Sequence, residues 1–315
     1  MALFLHLAVL HHKKTKAMKI NQLLILLLIL TTIVSCNNNS NPKTTDIELW
    51  KLGWRMIENS WEENNEIAES QFDSLLNAEV KIDIKFLLTG LEVKNKLGKE
   101  KAIDEILDKQ NQKVLSKICL KQFLQTREIC KEFSMENIEN EELQMELIKM
   151  YVDDQAARGN IMEDKILKYN LDRLQITQDD GVTVDERNRT RLKEIFEEYG
   201  FPNKEIVGKD AMYGVFLMIQ HSDGDKEWQK SQLKNIEIAV KNDDMNGQSY
   251  AYLYDRIKIN SGEKQLYGTQ FSSVDPVNKT VELAGTEDIE NLDKRRMEIG
   301  MMPIEMYKRL MLKNL

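Results

Sequence analysis

Ala211-Met212-Tyr213-Gly214-Val215-Phe216-Leu217-Met218-Ile219 is the stretch that decides the fold, because it is apolar on every side when wound into a helix. A helix that is apolar all round is buried among other elements, whereas a surface helix shows one apolar stripe. The stretch therefore predicts a domain in which several helices enclose a central one.

The segment before this helix shows one apolar stripe, as expected of a helix that packs around a buried one. The preceding segment has the i, i+3, i+4, i+7 spacing of an amphipathic helix and ends at the stop signal Gly200 and Pro202; its apolar residues are Leu192, Ile195, Phe196 and Tyr199. Asp185 is the expected N-cap of that helix, and Asp223 or Asp225 the N-cap of the next one.

Residues 46 to about 150 are predicted to be helical, because no proline lies between Pro42 and Pro202. A set of residues recurs 34 positions later, which is the period of a tetratricopeptide helix pair: Leu52, Met56, Ala68 and Phe72 correspond to Phe86, Gly90, Ala102 and Ile106. Two repeats are visible, and a generic pair of helical hairpins is the alternative. We expect a tetratricopeptide-like region over 46–147 and a second domain over 148–315.

The second domain is expected to contain a small sheet. Arg256 to Asn260 and Lys264 to Phe271 flank the turn signal Ser261-Gly262-Glu263, which indicates a β-hairpin, and Thr280 to Leu283 is a candidate third strand. The expected fold class is mainly α: a helical-repeat-like N-terminal part, followed by an α+β domain with a small antiparallel β-hairpin. Two helices separated by Gly300 and Pro303 are expected to end the chain.

The N-terminal residues have the pattern of an export leader. Lys19 precedes an apolar core of twelve residues, Leu23 to Val34. That length fits the roughly 7–15 apolar residues of a signal peptide and is shorter than the ~20 residues of a membrane-spanning helix. Ile33-Val34-Ser35-Cys36 resembles the lipobox of bacterial lipoproteins, which are cut before the cysteine and acylated on it.

This resemblance implies that residues 1–35 are a leader, with Met18 as the natural start and a signal peptide over 18–35. Residues 36–45 would be a polar tether acylated on Cys36, and the asparagine-rich sequence resembles lipoproteins of the Bacteroidetes. An ordinary leader without acylation is the alternative. The expected location is the cell envelope, with the chain held on the periplasmic face of the outer membrane by its acyl chains.

The charge of the chain excludes one class of partner. The net charge is −8, and removal of residues 1–35 takes away four lysines and no acid, which leaves −12. Nucleic-acid binding needs a basic surface, so no nucleic acid is expected as a partner. The helical repeats are instead expected to contact a protein or peptide.

Cys119 and Cys130 are the cysteines that follow Cys36. On one helix they would lie ~16 Å apart along the axis, whereas a disulfide needs Cα atoms within ~7 Å. A bond therefore requires a break in the helix between them, and buried free thiols are the favoured interpretation.

His221 is the only histidine after the leader and is the centre of the candidate site. It is expected to follow the central helix, where Asp223 or Asp255 could orient the ring for acid–base chemistry. A structural hydrogen-bond network is the favoured interpretation, and ligand binding without chemistry and acid–base catalysis are the alternatives. The lone histidine with scattered acids predicts no metal site, and no cofactor is expected.

Further polar residues are expected near His221. A strand carrying Gln265, Tyr267 and Thr269 would present them on one face, and Asp255 is expected to form an ion pair with Arg256. Arginines gathered in one cleft would favour an anionic ligand. The complete candidate set, besides Cys36, is His221, Gln220, Asp255, Arg256, Gln265, Tyr267, Gln270, Arg158 and Arg296.

Six ordered motifs over roughly residues 148–312 resemble one bacterial family known only as a domain of unknown function. They begin with Asp154-Gln155-Ala156-Ala157-Arg158, Tyr199-Gly200-Phe201-Pro202 and Gln220-His221, and continue with Tyr254-Asp255-Arg256, Gln265-Leu266-Tyr267-Gly268-Thr269-Gln270 and Arg295-Arg296. The resemblance implies a compact domain with a polar cluster and supplies no activity.

Two functions are expected from these observations. The first is a membrane-anchored binding or protein-interaction module with a polar cleft around His221. The second is a hydrolase in which His221 acts as acid and base, while Asp255, Arg256, Gln265, Tyr267 and Gln270 position a polar or anionic substrate.

Overall fold

The computed structural model describes residues 44–78, 80–133 and 138–313. The leader, Met18, Cys36 and the tether as far as residue 43 lie outside the described residues. The expected fold class is confirmed, because the described chain is mainly helical and carries one two-stranded antiparallel sheet. No described helix is both long and apolar enough to cross a membrane.

The N-terminal region consists of short helices with a shared hydrophobic core. Their bounds are α1 Thr44–Trp61, α2 Asn65–Asn77, α3 Ile84–Lys96, α4 Glu100–Leu107 and α5 Gln112–Ile118. Close packing of α2 on α3 depends on Gly90, because a Cβ there would come within 2.3 Å of the Phe72 ring. The assignment of these helices to the tetratricopeptide class, and the boundary at residue 147, stay predictions.

A disulfide joins Cys119 to Cys130, so the expectation of free thiols is wrong. Helix α5 ends at Ile118, and two 3-10 turns, Gln122–Leu124 and Glu128–Cys130, bring the chain back on itself. The two Cα atoms are consequently 5.1 Å apart, within the range that a disulfide needs. Both cysteines are buried in the N-terminal core.

Reduction of this disulfide is expected to lower the free energy of unfolding by about 3 kcal/mol. The bond joins residues 11 positions apart and so restricts the conformations of the unfolded chain. Urea unfolding of the wild type with and without a phosphine reductant measures the change while both sulfur atoms stay in place. A Cys119→Ala, Cys130→Ala variant should lose its sensitivity to reductant. Equal unfolding midpoints for oxidised and reduced wild type would contradict the prediction.

The C-terminal region is built around the helix that the sequence places at its centre. Its first helices are α6 Glu141–Ala156, α7 Glu163–Lys168, α8 Gly181–Tyr199, α9 Lys204–Gln220, α10 Lys226–Ser231 and α11 Leu233–Lys241. Ala211, Val215 and Ile219 on α9 are fully buried, which confirms the prediction of an enclosed helix. Helix α6 packs closely on α9, since a Cβ at Gly214 would lie 2.7 Å from the Tyr151 side chain.

Two of the predicted helix caps differ in the structure. Helix α8 begins at Gly181, and its N-cap is Asp180 rather than Asp185, because the Asp180 carboxylate accepts hydrogen bonds from two backbone N–H groups of the first turn. Asp225 caps α10, which confirms one of the two candidates.

The predicted hairpin is in the wrong place. Residues 256–260 belong to helix α12, Gly247–Asn260, which Asn246 caps and which buries Leu253 and Ile257 one turn apart. The antiparallel pair is β1, Phe271–Asp275, with β2, Thr280–Leu283. The alternation of polar and apolar residues over 256–260 predicted a strand. The apolar residues of the longer segment 247–260 have helical spacing, and the segment forms a helix.

Two helices end the described chain, as expected: α13 Leu292–Glu298 and α14 Ile304–Lys313. They lie in the same compact unit as the N-terminal helices. The Trp50 indole N–H of α1 donates to the Met301 carbonyl at 3.1 Å, and Arg309 of α14 forms an ion pair with Glu58 of α1.

Candidate functional site

His221 contacts an aspartate of a neighbouring helix. It caps the C-terminus of α9, and its Nδ1 lies 2.9 and 3.1 Å from the two carboxylate oxygens of Asp154 on α6. Asp154 is fully buried, whereas 14% of the His221 side chain is exposed. The expectation that Asp223 or Asp255 orients the ring is wrong, because the packing of α6 on α9 brings Asp154 to Nδ1 instead.

Arg158 joins Asp154 to a second aspartate. Its guanidinium donates to the Asp154 carbonyl at 2.8 Å, to the Asp154 carboxylate at 3.2 Å and to the Asp185 carboxylate at 2.6 Å. Burial has the largest influence on the Asp185 carboxyl and raises its pKa, although Arg158 acts in the opposite direction. The two aspartates and His221 therefore form one group around the arginine.

The same group has distances that a metal ion could use. One ligand atom each from Asp154, Asp185 and His221 lies within 4.8 Å of the others. The Arg158 guanidinium, however, already brings a positive charge to both carboxylates. Because an ion would compete with this charge, the arrangement favours proton chemistry over metal binding.

Arg256 belongs to a neighbouring polar group around Asp223. Its guanidinium donates to the Asp223 carboxylate, which also accepts from Gln229 at 3.0 Å and Asn260 at 3.1 Å. Burial would raise the pKa of Asp223, but Arg256 and Gln229, together with the nearby His221, outweigh it and lower the pKa below its usual value. Arg256 is therefore paired with Asp223 and not, as expected, with Asp255.

Asp223→Asn is expected to reduce stability at neutral pH and to have less effect in acid. The folded state lowers the pKa of Asp223 below its ordinary value of 3.8, so its stabilisation is present above that value and is lost as pH falls through the lower folded pKa. Urea unfolding at pH 7, 4 and 3 measures the difference from wild type. Asp164→Asn, at a side chain 71% exposed, is the control. A difference that grows as the pH falls would contradict the prediction.

Asp255 holds a loop of backbone and has no contact with the His221 ring among the described hydrogen bonds. Its carboxylate is fully buried and accepts from the backbone N–H groups of Leu266, Tyr267 and Thr269 at 2.8 to 3.2 Å. Burial raises the pKa of Asp255, and the three N–H groups oppose that shift. Asp255 is therefore an anchor for the segment 266–269.

Arg296 holds the carbonyl side of the same segment. It is fully buried, donates to the Tyr267 carbonyl at 2.6 Å and to the Met302 carbonyl at 2.7 Å, and lies over the Tyr307 ring. The adjacent Arg295 donates to the Leu266 carbonyl at 2.8 Å. Both arginines therefore bind backbone oxygens, Arg295 also pairs with Asp288, and the Nη2 of Arg296 is buried without a described hydrogen-bond partner.

Gln265 closes the segment at its other end. Its amide nitrogen donates to the carbonyls of Gln270 and Ala284, and its amide oxygen accepts from the Gln270 backbone at 2.8 Å. The predicted strand with Gln265, Tyr267 and Thr269 on one face is wrong, because these residues lie in a loop outside β1. Burial raises the pKa of Tyr267 to about 12, and its ring contacts Tyr250 and Tyr254 edge-on.

Residues 141–314 match a family described as a family of unknown function, DUF6624, and the match covers more than half of the chain. The chain belongs to this family. Comparisons with curated proteins and with solved structures give no match.

The candidate residues chosen from the sequence lie in two parts of the DUF6624 domain. Gln265, Gln270, Tyr267, Asp255 and Arg296 belong to the hydrogen-bonded loop 265–270. His221 and Arg158 belong with Asp154 and Asp185, while Arg256 lies beside them on Asp223. Gln220 contributes its backbone carbonyl, which accepts from Gln229 at 3.0 Å.

Asp154 and Asp185 were missed as site residues by the sequence reasoning. Asp154 does carry a signal, because Asp154 and Arg158 are four residues apart on a helix and therefore share a face. No comparable sequence signal identifies Asp185, because its contact with Arg158 depends on how α8 packs on α6.

Proposed function

We propose that this protein is a membrane-anchored lipoprotein of the cell envelope whose DUF6624 domain carries an acid–base site at His221. The location is supported by the lipobox-like sequence before Cys36 and by the Cys119–Cys130 disulfide, since such bonds persist mainly in oxidising compartments. The proposed anchor is an acyl chain on Cys36, with the domain on the periplasmic face of the outer membrane.

The observation that carries the acid–base proposal is the contact between the His221 Nδ1 and the buried Asp154 carboxylate. A carboxylate accepts hydrogen bonds, so the contact places a proton on Nδ1 and leaves Nε2 as the basic nitrogen of the neutral ring. A fixed tautomer and a fixed ring orientation are what a general base requires. Asp185 adds a second titratable group within the same cluster.

Two further observations support hydrolysis by water as the type of reaction. The Ser222 hydroxyl donates to the Met218 carbonyl at 2.8 Å and is fully buried, which removes it as a nucleophile. Arg158 and Arg256 are already paired with aspartates, which disfavours a strongly anionic substrate. The proposed reaction is therefore hydrolysis of a polar substrate by a water molecule that His221 deprotonates.

Binding of a polar ligand without chemistry is the second candidate, and it is favoured because the described residues place no available serine hydroxyl beside His221, the Ser222 hydroxyl being buried and bonded to the Met218 carbonyl. The repeat-like N-terminal helices would then serve a protein or peptide partner.

Hydrolysis of chromogenic ester, amide, phosphate and glycoside probes by the full chain tests the acid–base proposal. His221→Gln, which fills similar space without a basic ring nitrogen, should lose turnover while the melting temperature stays within a few degrees of wild type. Turnover that survives in His221→Gln would overturn the proposal. If the wild type turns over none of the four probe classes, the second candidate is the better description.

The anchor is tested separately by metabolic labelling with palmitate. Label should enter the wild type and not Cys36→Ala, which should also leave the membrane fraction. Equal labelling of both chains would overturn the lipoprotein assignment and leave the His221 proposal unaffected.

A further inference from the structure

A cleft of about 630 Å³ lies between the N-terminal helices and the DUF6624 domain. One wall is formed by α3 and the end of α5, and the other by α9 and the loop that precedes α12. This volume lies within the range of about 300–1,000 Å³ in which proteins bind small molecules. The cleft shares no lining residue with the His221 group.

The inside of the cleft offers apolar surface. Ile84 and Leu88 of α3 line it together with Met245, and Tyr213 on α9 has 43% of its surface exposed. Tyr213 continues an exposed face of α9 that also carries Glu205 and Lys209, and it adds a large ring to that face. An apolar group in the cleft would cover this ring.

The charged side chains that line the same cleft leave a small net positive charge. Lys117 and Lys204 stand on opposite walls and both form ion pairs with one carboxylate, that of Asp243. The lining also includes Lys121, Lys209, Glu205 and Asp244, so four lysines stand against three carboxylates and a formal charge of +1 remains. The chain as a whole has a net charge of −8, so the sign of the charge in this cleft is opposite to that of the whole chain.

The wall that carries Lys117 and Lys121 is held in place covalently. Cys119 lies between these two lysines in sequence, and its disulfide to Cys130 fixes the turn after α5. Because this wall is already fixed before a ligand binds, less conformational entropy is lost on binding.

We infer that this cleft binds a small amphipathic anion, with its acidic group among Lys117, Lys121 and Lys204 and its apolar body against Tyr213 and Leu88. The inference does not depend on the acid–base proposal, because the two sites use different residues.

Calorimetric titration of the full chain carrying Cys36→Ala, which removes the acyl chains, tests the inference with three probes. Decanoate has the charge and the apolar body, decyltrimethylammonium has the same body with opposite charge, and butyrate has the charge with little apolar body. Decanoate is expected to bind at least tenfold more tightly than either of the others. Equal affinity for the two decyl compounds, or no binding of decanoate, would overturn the inference.

Matched variants locate the binding site. Lys121→Glu and Tyr213→Ser should each weaken decanoate binding at least fivefold. Their controls make the same changes at exposed positions away from the cleft: Lys101→Glu, at a side chain 92% exposed, and Tyr199→Ser, at a residue 48% exposed. Both controls should bind as wild type does. If the cleft variants bind decanoate as the controls do, the probe occupies another surface and the assignment fails.

Discussion

Asp255→Ala is expected to lower the free energy of unfolding by about 3–6 kcal/mol, since each buried donor left without an acceptor costs about 1–3 kcal/mol. The substitution removes the carboxylate that accepts from the N–H groups of Leu266, Tyr267 and Thr269. It also removes one of the negative charges that act on the fully buried guanidinium of Arg296, although Asp293 remains. Urea unfolding followed by circular dichroism measures the loss.

Asp255→Asn separates the two contributions. The amide keeps one acceptor oxygen but loses the charge, so we expect a smaller loss than for alanine, and we expect Asp164→Ala, at a side chain 71% exposed, to stay within about 0.5 kcal/mol of wild type. A double-mutant cycle with Arg296→Met should show a coupling of about 0.5–3 kcal/mol, as for residues that share a buried network. A cost for Asp255→Ala below about 1 kcal/mol would show that the loop 266–269 does not depend on this carboxylate.

The contacts of Asp255 show what the polar motifs around it do in the structure. The Tyr254-Asp255-Arg256 and Gln265 to Gln270 motifs were interpreted either as one satisfied hydrogen-bond network or as the lining of a pocket. Buried polar groups are commonly satisfied by backbone, and here the carboxylate and the guanidinium hold the two sides of one loop. The polar motifs therefore identified a structural element, the loop 265–270. His221 lies outside it and contacts Asp154.

The parts of the fold that the sequence predicts are those determined by local pattern. The apolar circumference of Ala211 to Ile219 predicted the enclosed helix, Gly200 and Pro202 predicted the end of α8, and Thr280 to Leu283 proved to be a strand. Each of these depends on residues within one or two turns of each other. The expected domain of unknown function over roughly residues 148–312 agrees with the family match over residues 141–314.

The parts that the sequence does not predict depend on contacts between distant residues. The His221–Asp154 contact spans 67 positions and exists because α6 lies against α9. The Cys119–Cys130 bond depends on the end of α5 at Ile118, in a segment without glycine or proline that would predict a turn. Residues 256–260 fit a strand as well as a helix, and only the burial of Leu253 and Ile257 on one face decides between them.

Asp154→Asn is expected to reduce the turnover of any substrate that the hydrolysis probes identify by about 10²–10⁴-fold, the usual contribution of general acid–base catalysis. The asparagine amide can turn its NH₂ group towards His221, and Nδ1 then becomes an acceptor while Nε2 carries the proton. The basic nitrogen of His221 would then be Nδ1, which faces residue 154 and not a substrate. Asparagine has the same size as aspartate, so the packing should be unchanged. Nitrogen-15 chemical shifts of the imidazole report this change of tautomer without any substrate.

Asp223→Asn is the matched control for that experiment. Asp223 also acts electrostatically on His221, but it makes no described hydrogen bond to the ring, so this variant should keep the Nδ1–H tautomer and most of the turnover. Loss of turnover with an unchanged tautomer in Asp154→Asn would assign Asp154 a structural role. An exchanged tautomer with wild-type turnover would show that Nε2 of His221 is not the base, because the protonated Nε2 cannot accept a proton from water.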